Sequence, residues 1–174
     1  MRKGVTVWFT GLPCSGKTTI ADKVALNLKN RGLKVERLDG DIVRKGLTSD
    51  LGFSKEDRNK NIERVTFVAK LLTRNDVIVL ATFISPYIQR RQQTREEIGE
   101  FVEVYVKASV EECIKRDVKG MYKKAMEGKI KNFTGVDDPY EEPPSPEIVL
   151  DTEVETVQES VEKVLNYLEK KGYL

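Results

Sequence analysis

Apolar and polar positions along the chain change period several times, and each change marks an element. Val5 to Thr10, "VTVWFT", is apolar and β-rich and ends at Gly11, which predicts a buried strand. From Lys17 the period lengthens. Ile20, Val24 and Leu28 share one face and Gly32 stops the pattern, predicting a helix over Lys17 to Arg31. A short strand follows at Lys34 to Leu38, then a long amphipathic helix over Lys55 to Thr73. "DVIVLAT", Asp76 to Thr82, is a fully apolar strand. Helices over Gln89 to Ile98, Val110 to Val118 and Glu155 to Lys171 are interleaved with strands at Phe101 to Lys107 and Ile148 to Leu150.

Strands that alternate with helices build a parallel sheet covered on both faces, here with five strands. Ligands of such sheets bind beyond the carboxyl ends of the strands, so the residues just after each strand carry the candidate chemistry. One stretch breaks the rhythm. Lys119 to Pro146 is rich in Lys, Gly and Pro and weakly periodic, and a segment this long is functional or mobile. No repeat, linker or composition break divides the chain, so residues 1–174 read as one domain with a lid over about 119–146.

Composition narrows the classes. A chain of 174 residues, 39% hydrophobic, can bury a proper core, and its net charge of +2 names no partner. The lack of histidine rules out a histidine general base and argues against a zinc site. Cys14 and Cys113 are isolated, which fits a reduced, cytoplasmic protein. Met1 to Gly4 run straight into strand-like sequence, leaving no room for a secretory leader. No apolar run approaches the roughly 20 residues that cross a bilayer. There is no dense basic stripe with aromatics, so nucleic acid is not an expected partner.

The sharpest signal is "TGLPCSGKTT", Thr10 to Thr19. Gly11, Gly16, Lys17 and Thr18 fit G-x-x-x-x-G-K-[ST], in the required place between a buried strand and a helix. Backbone N–H groups of such a loop curl around phosphate oxygens, and the helix N-terminus aims its positive dipole end at the same anion. Lys17 would reach the β- and γ-phosphates of ATP, and the Thr18 hydroxyl would ligate Mg²⁺. Cys14 reads as a small filler inside the loop.

The acceptor side decides between switches, motors and kinases. "NKNI" at Asn59 to Ile62 lacks the aspartate of a guanine-binding signature, and no LSGGQ-like stretch is present. "DGDIVR", Asp39 to Arg44, places two acids at the end of the second strand, able to act on metal-bound water and an acceptor hydroxyl. The same letters also suit an Asp-Gly turn with a helix cap. Arg44 follows Asp41 by three residues, and Arg58 and Asn61 are likewise three apart, sharing a face if helical. Phe53 is either a base-stacking surface or a core anchor, with the anchor slightly favoured.

Taken in order, "GLPCSGKTT", "DGDIVR", "LGFSKEDRNKNI", "FISPY", "RDVKGMYKKA" and "FTGVDDPYEEP" resemble the adenylylsulfate kinase (APS kinase) family, over about Val5 to Asp151. The resemblance implies a three-layer P-loop NTPase fold with a mobile lid. It also implies ATP-dependent phosphorylation of the 3′-hydroxyl of adenosine 5′-phosphosulfate (APS) to 3′-phosphoadenylyl sulfate (PAPS). By the same resemblance Gly11, Leu12, Pro13, Cys14, Ser15, Gly16, Lys17, Thr18 and Thr19 hold ATP, with Arg116 over its adenine. Thr18 and Asp39 lie at the metal, and Asp41 accepts the 3′-hydroxyl proton. Arg44, Arg58 and Asn61 hold the phosphosulfate end of APS, Phe53 and Phe133 clamp its adenine, Ile84 and Ser85 line the site, and Lys119 reaches phosphate from the lid. Lys17, Asp41 and Ser85 form the catalytic set, with phosphoryl transfer direct rather than through Ser85. The resemblance further implies a homodimer and a functional link to ATP sulfurylase.

Four positions depart from the family pattern. Pro13-Cys14 replaces the commoner Ser-Gly, Glu63 stands where a second basic residue is usual, and Ile88 follows "SPY" where arginine is common. The last two remove cations near the acceptor. The residues alone leave open a kinase for another small acceptor, such as a nucleoside, shikimate or gluconate, and a non-catalytic nucleotide-dependent switch.

Overall fold

Strand β1, Val5–Thr10, is buried at all six positions, and its alternate side chains feed two different cores. Val5, Val7 and Phe9 point to one face of the sheet, whereas Trp8 points to the other. The computed structural model describes residues 3–174; the reading of Met1 and Arg2 as part of a leaderless start lies outside them.

The remaining elements are α1 (Lys17–Asn30), β2 (Val35–Asp39), α2 (Gly40–Lys45), α3 (Lys55–Thr73), β3 (Ile78–Thr82), α4 (Ile88–Ile98), β4 (Phe101–Lys107), α5 (Val110–Arg116), α6 (Met121–Met126), β5 (Ile148–Asp151) and α7 (Val157–Lys170). The five strands form one parallel sheet in the order β2-β3-β1-β4-β5. On one face α1 buries Ile20, Ala21, Val24, Ala25 and Leu28, and α7 buries Val161, Val164, Leu165 and Leu168, against β1 and β4. That spacing is the apolar stripe of a helix lying on a sheet. On the other face Ile62 and Val65 of α3 meet Trp8, Phe83 and Phe101, and Trp8 stacks on Phe83 at 5.3 Å. The three-layer expectation holds, with β1 at the centre of the sheet and its loop opening at the carboxyl edge.

Several boundaries differ from the sequence reading, each for a local reason. The third strand begins at Ile78 rather than Asp76, because Asp76 (φ 61) turns the chain and donates its N–H to Thr73 O (3.2 Å) to close α3. The second strand is shifted one residue, to Val35–Asp39. Helix α5 stops at Arg116, where Asp117 leaves helical geometry (φ −32, ψ 65). The segment 119–146 contains a helix that its weak periodicity concealed, α6, whose Tyr122 and Lys123 N–H groups are accepted by the Asp117 carboxylate (3.1 and 3.0 Å). Helix α7 starts at Val157, behind a capping box in which Thr156 and Glu159 bond reciprocally.

Candidate functional site

The loop from Gly11 to Gly16 leaves β1 in the middle of the sheet's carboxyl edge and runs into α1. Gly11 (φ 152) permits the tight exit, since a Cβ there would lie 2.4 Å from Val106 O. Gly16 (φ 107) is the N-cap of α1 and supplies no side-chain cap, and no acid occupies the first turn, so the helix presents open N–H groups and its positive end. Lys17 curls back inside the loop: Nζ donates to Gly11 O (2.8 Å) and Leu12 O (2.6 Å), with Ser15 Oγ at 3.4 Å. Burial depresses its ammonium to about 8 from the usual 10.5. Cys14 is partly exposed and left-handed (φ 63), so it shapes the loop as well as filling it. Thr19 is exposed on the first turn of α1.

Facing this loop is the end of β2. Asp39 caps α2 by accepting Asp41 N–H (3.0 Å), so the helix-cap reading holds, yet the same carboxylate also accepts from Thr18 (3.0 Å) and Thr82 (2.9 Å). Burial pushes the Asp39 carboxyl up. The hydrogen bonds from Thr82, Thr18 and Asp41 N–H, with Arg37 at 3.8 Å, outweigh it and hold the group below the usual carboxylate range. Arg37 is itself fixed by Asp22 (2.9 Å) and Leu80 O (2.5 Å). Asp41 is exposed and ion-paired with Lys119, so a cation of segment 119–146 meets the carboxylate that follows β2.

The proposed acceptor residues divide into exposed and committed groups. Phe53 is 60% exposed, which corrects the slight preference for a core anchor: Gly52 and Ser54 hold it in a loop outside both cores. The Arg44 guanidinium lies over its ring at 4.3 Å and donates to Gly52 O (3.0 Å). Arg58 donates to Phe53 O (3.0 Å), Thr134 (2.5 Å), Asp138 (2.9 Å) and Asn132 O, so most of its donors are held by segment 119–146 rather than presented to an anion. Asn61 is buried and accepts from Thr48 (2.7 Å), so it does not share an exposed face with Arg58. Phe133 packs edge-on to Tyr122 at 4.9 Å. Its neighbour Asn132 is joined to Phe53 through the Arg58 guanidinium, which brings the two aromatics' backbones to one side of the site.

Ser85 differs from the open, site-lining serine the sequence suggested. It is 4% exposed and left-handed (φ 42); its hydroxyl accepts from Trp8 Nε1 (3.0 Å) and donates to Thr10 (3.1 Å). The turn at Ile84 and Ser85 points that hydroxyl under the sheet edge, while Thr10 secures Ile84 O at 2.8 Å. Arg116 is held by its edge: it donates to Thr152 Oγ1 (2.9 Å), Thr152 O (2.8 Å) and Glu112 (3.1 Å). Thr152 also donates to Ser15 O (2.9 Å), so a residue after β5 braces the phosphate loop. No motif announced Thr152 or Arg37; their position directly after or within a strand was the available signal. Segment 119–146 is also fastened at Tyr122 and Glu141. Tyr122 donates to Pro13 O (3.0 Å), and Glu141 N–H donates to Pro86 O (2.9 Å). Neither Glu63 nor Ile88 replaces the cation it displaced: Glu63 pairs with Lys60 (3.1 Å), and Ile88 N–H donates to Glu141 (2.7 Å).

The arrangement combines an anion cradle, two carboxylates on its far side and a segment, 119–146, with cationic and aromatic groups. The family model for adenylylsulphate kinase matches residues 3–151. The chain is 62% identical over 173 residues to the adenylyl-sulfate kinase of Halothermothrix orenii, covering 99% of this chain and 94% of that protein. Among solved structures it is similar to the Mycobacterium tuberculosis APS kinase in complex with AMPPNP and APS, with TM-score 0.92, 39% identity and coverage of 97% of this chain and 99% of that one. It is also similar to the hexameric APS kinase from Thiobacillus denitrificans, with TM-score 0.76, 38% identity and coverage of 99% of this chain and 30% of that one.

Proposed function

The chain belongs to the adenylylsulfate kinase family, and on that premise we propose how its residues divide the reaction. It is a P-loop kinase that transfers the γ-phosphoryl group of ATP to the 3′-hydroxyl of APS, giving PAPS and ADP. The observation that carries the assignment of residues is the 3.0 Å bond from Thr18 to Asp39, which sets the phosphate loop directly against the acceptor-side acids.

The loop amides from Gly11 to Thr19 hold the triphosphate, and Lys17 exchanges its carbonyl partners for phosphate oxygens. Leaving a buried, carbonyl-only environment for an anion favours the charged ammonium, so the exchange draws Lys17 toward full protonation. Thr18 and Asp39 form an all-oxygen donor pair suited to a hard divalent cation. They would hold Mg²⁺, which when bound neutralises charge developing on the migrating phosphoryl group. Asp41 orients the ribose 3′-hydroxyl and accepts its proton, with Lys119 beside it to balance charge. Phe53 and Phe133 flank the APS adenine. Arg44 takes the phosphosulfate; Arg58 would join it only by releasing its partners in segment 119–146, and buried Asn61 would offer it only the amide nitrogen that its bond with Thr48 leaves over. Arg116, braced by Thr152, borders the ATP adenine. Ser85 contributes a structural hydroxyl and no covalent step. The segment 119–146 closes as a lid and excludes water, limiting ATP hydrolysis.

The reading extends to a single kinase domain over residues 1–174 working as a homodimer in the cytoplasm, on APS supplied by an ATP sulfurylase. Its support is the family resemblance, an oligomeric relative and two unpaired cysteines. No helix among the described residues is long and apolar enough to cross a membrane. The test is incubation of the purified chain with MgATP and APS, following PAPS, beside parallel reactions offering gluconate, shikimate and nucleosides. PAPS formation far above the other products is expected. Unaltered APS, or preference for another acceptor, overturns the reading.

A further inference from the structure

Helix α4 is polar along nearly its whole length, yet one arginine on it is almost completely buried. Arg91 is 3% exposed, and the only other buried residue of that helix is Thr94. Its Nε donates to Glu103 on β4 (2.9 Å), Nη1 to Ser85 O (2.6 Å) and Nη2 to Glu141 O (2.6 Å). The guanidinium also lies 5.6 Å from the ring centroid of Tyr140, whose hydroxyl bonds Thr10 at 2.8 Å. One cation therefore ties together three segments: the turn after β3, the end of the lid and the central part of the sheet.

A buried ion pair is a poor device for stability, because a well-packed apolar group of similar size does as well or better. Its use lies in direction. The planar fork of arginine holds two carbonyls and a carboxylate from three separate nitrogens at fixed angles, a spread that the single nitrogen of lysine cannot reproduce. Both carbonyls belong to irregular backbone, and Ser85 is held in a left-handed conformation that non-glycine residues seldom adopt. The Glu141 to Pro86 backbone bond joins the same two segments from the other side.

We propose that Arg91, with Glu103 as its counter-ion, is a positioning residue for the acceptor side: it locks the Ile84–Pro86 turn to the lid's end at Tyr140–Glu141, and so sets recognition of APS without touching it. The proposal rests on the acceptor being APS. The nucleotide half of the site meets this cluster through Trp8 and Thr10 of β1, whereas the phosphate-binding Lys17 and Thr18 and the bracing Thr152 bond to other partners.

The test uses the full-length protein. Arg91→Lys keeps the charge and loses the fork. The KM for APS should rise about tenfold or more, with the KM for ATP within about twofold of wild type. In hydrogen exchange the Glu141 amide should open faster. Val164→Ala, on α7 in the opposite core, is the control for lost stability alone, and it should leave the ratio of the two KM values unchanged. An unchanged APS KM in Arg91→Lys, or a rise shared equally by both substrates, overturns the proposal. If Arg91→Lys does not fold, Glu103→Gln, which keeps the shape and removes the charge, should give the same selective rise at smaller size; an unchanged KM ratio there is equally fatal. A wild-type protein that leaves APS unaltered would refute the assigned reaction instead. The coupling would then stand or fall on the exchange rate of the Glu141 amide in Glu103→Gln.

Discussion

Asp39→Asn separates charge from shape at the junction of the two half-sites. The Asp39 side chain is 12% exposed and accepts three hydrogen bonds, from Thr18, Thr82 and Asp41 N–H. Asparagine caps a helix as well as aspartate does, so α2 should persist. It has one acceptor oxygen where the carboxylate has two. Whichever way the amide turns, its nitrogen faces either the Asp41 N–H or the two threonine hydroxyls. With its oxygen on the Asp41 N–H the amide nitrogen can donate to the threonine hydroxyls instead, so the variant loses charge assistance rather than a bond, costing about 1–2 kcal/mol and lowering Tm by about 2–8 °C for a chain of this length. The pH dependence has a definite sign. A carboxyl held below its unfolded value stabilises the protein above an ordinary aspartate pKa of about 3.9, and that stability is lost as pH falls through the folded value. The gap between wild type and variant should be full at pH 7 and shrink below about pH 4. Activity should demand about 10–100-fold more Mg²⁺, the scale of losing a supporting ligand. Thermal melts across pH, with a Mg²⁺ titration of PAPS formation, provide the measurements. Equal Tm at pH 7, a gap that persists in acid, or an unchanged Mg²⁺ requirement would refute the reasoning.

Burial holds Lys17 near 8, below its ordinary value of 10.5, so stability should rise with pH between those two points. ATP should restore the proton. At pH 8 binding should take up about half a proton, visible by calorimetry in buffers of different ionisation enthalpy, and an absence of buffer dependence would contradict the burial argument. Gly11→Ala should abolish activity and cost at least about 3 kcal/mol, because its Cβ would sit 2.4 Å from Val106 O, a contact that a fully folded variant with native melting would disprove. Glu147 pairs with Arg95 (2.7 Å) and accepts the Glu103 N–H (2.6 Å), so Glu147→Gln should lower Tm while leaving both KM values alone.

Periodic and locally encoded features were legible in the sequence. The five strands, the long helices and the phosphate loop all carry their cause within a few residues: an apolar run, a 3.6-residue stripe, a glycine that must exit a strand. What stayed hidden depends on distant partners. Helix α6 is only six residues long and draws its cap from Asp117 outside it. Arg91 looks like one more charge in "IQRRQQTREEI", and only the fold brings Ser85 O, Glu141 O and Glu103 around it. The pairing of Lys119 with Asp41 spans 78 residues. At Asp39 both competing readings hold together, because the second carboxylate oxygen remains available for the threonines after the helix is capped. The exposure of Phe53 and the burial of Ser85 reversed what residue type suggested, since each is set by the path of its loop.

The segment over the site is sewn down at Tyr122, by Arg58 at Thr134 and Asp138, and again at Glu141, and ahead of the Arg58 stitch Gly128 turns the chain with nothing packed against its Cα. Doubling the length of such a connection costs only about 0.6 kcal/mol in closure entropy. Added residues between Glu127 and Lys131 would therefore leave the sheet undisturbed, and the enzyme's outer contour can be redrawn, tagged or diversified there at almost no penalty to the machinery beneath.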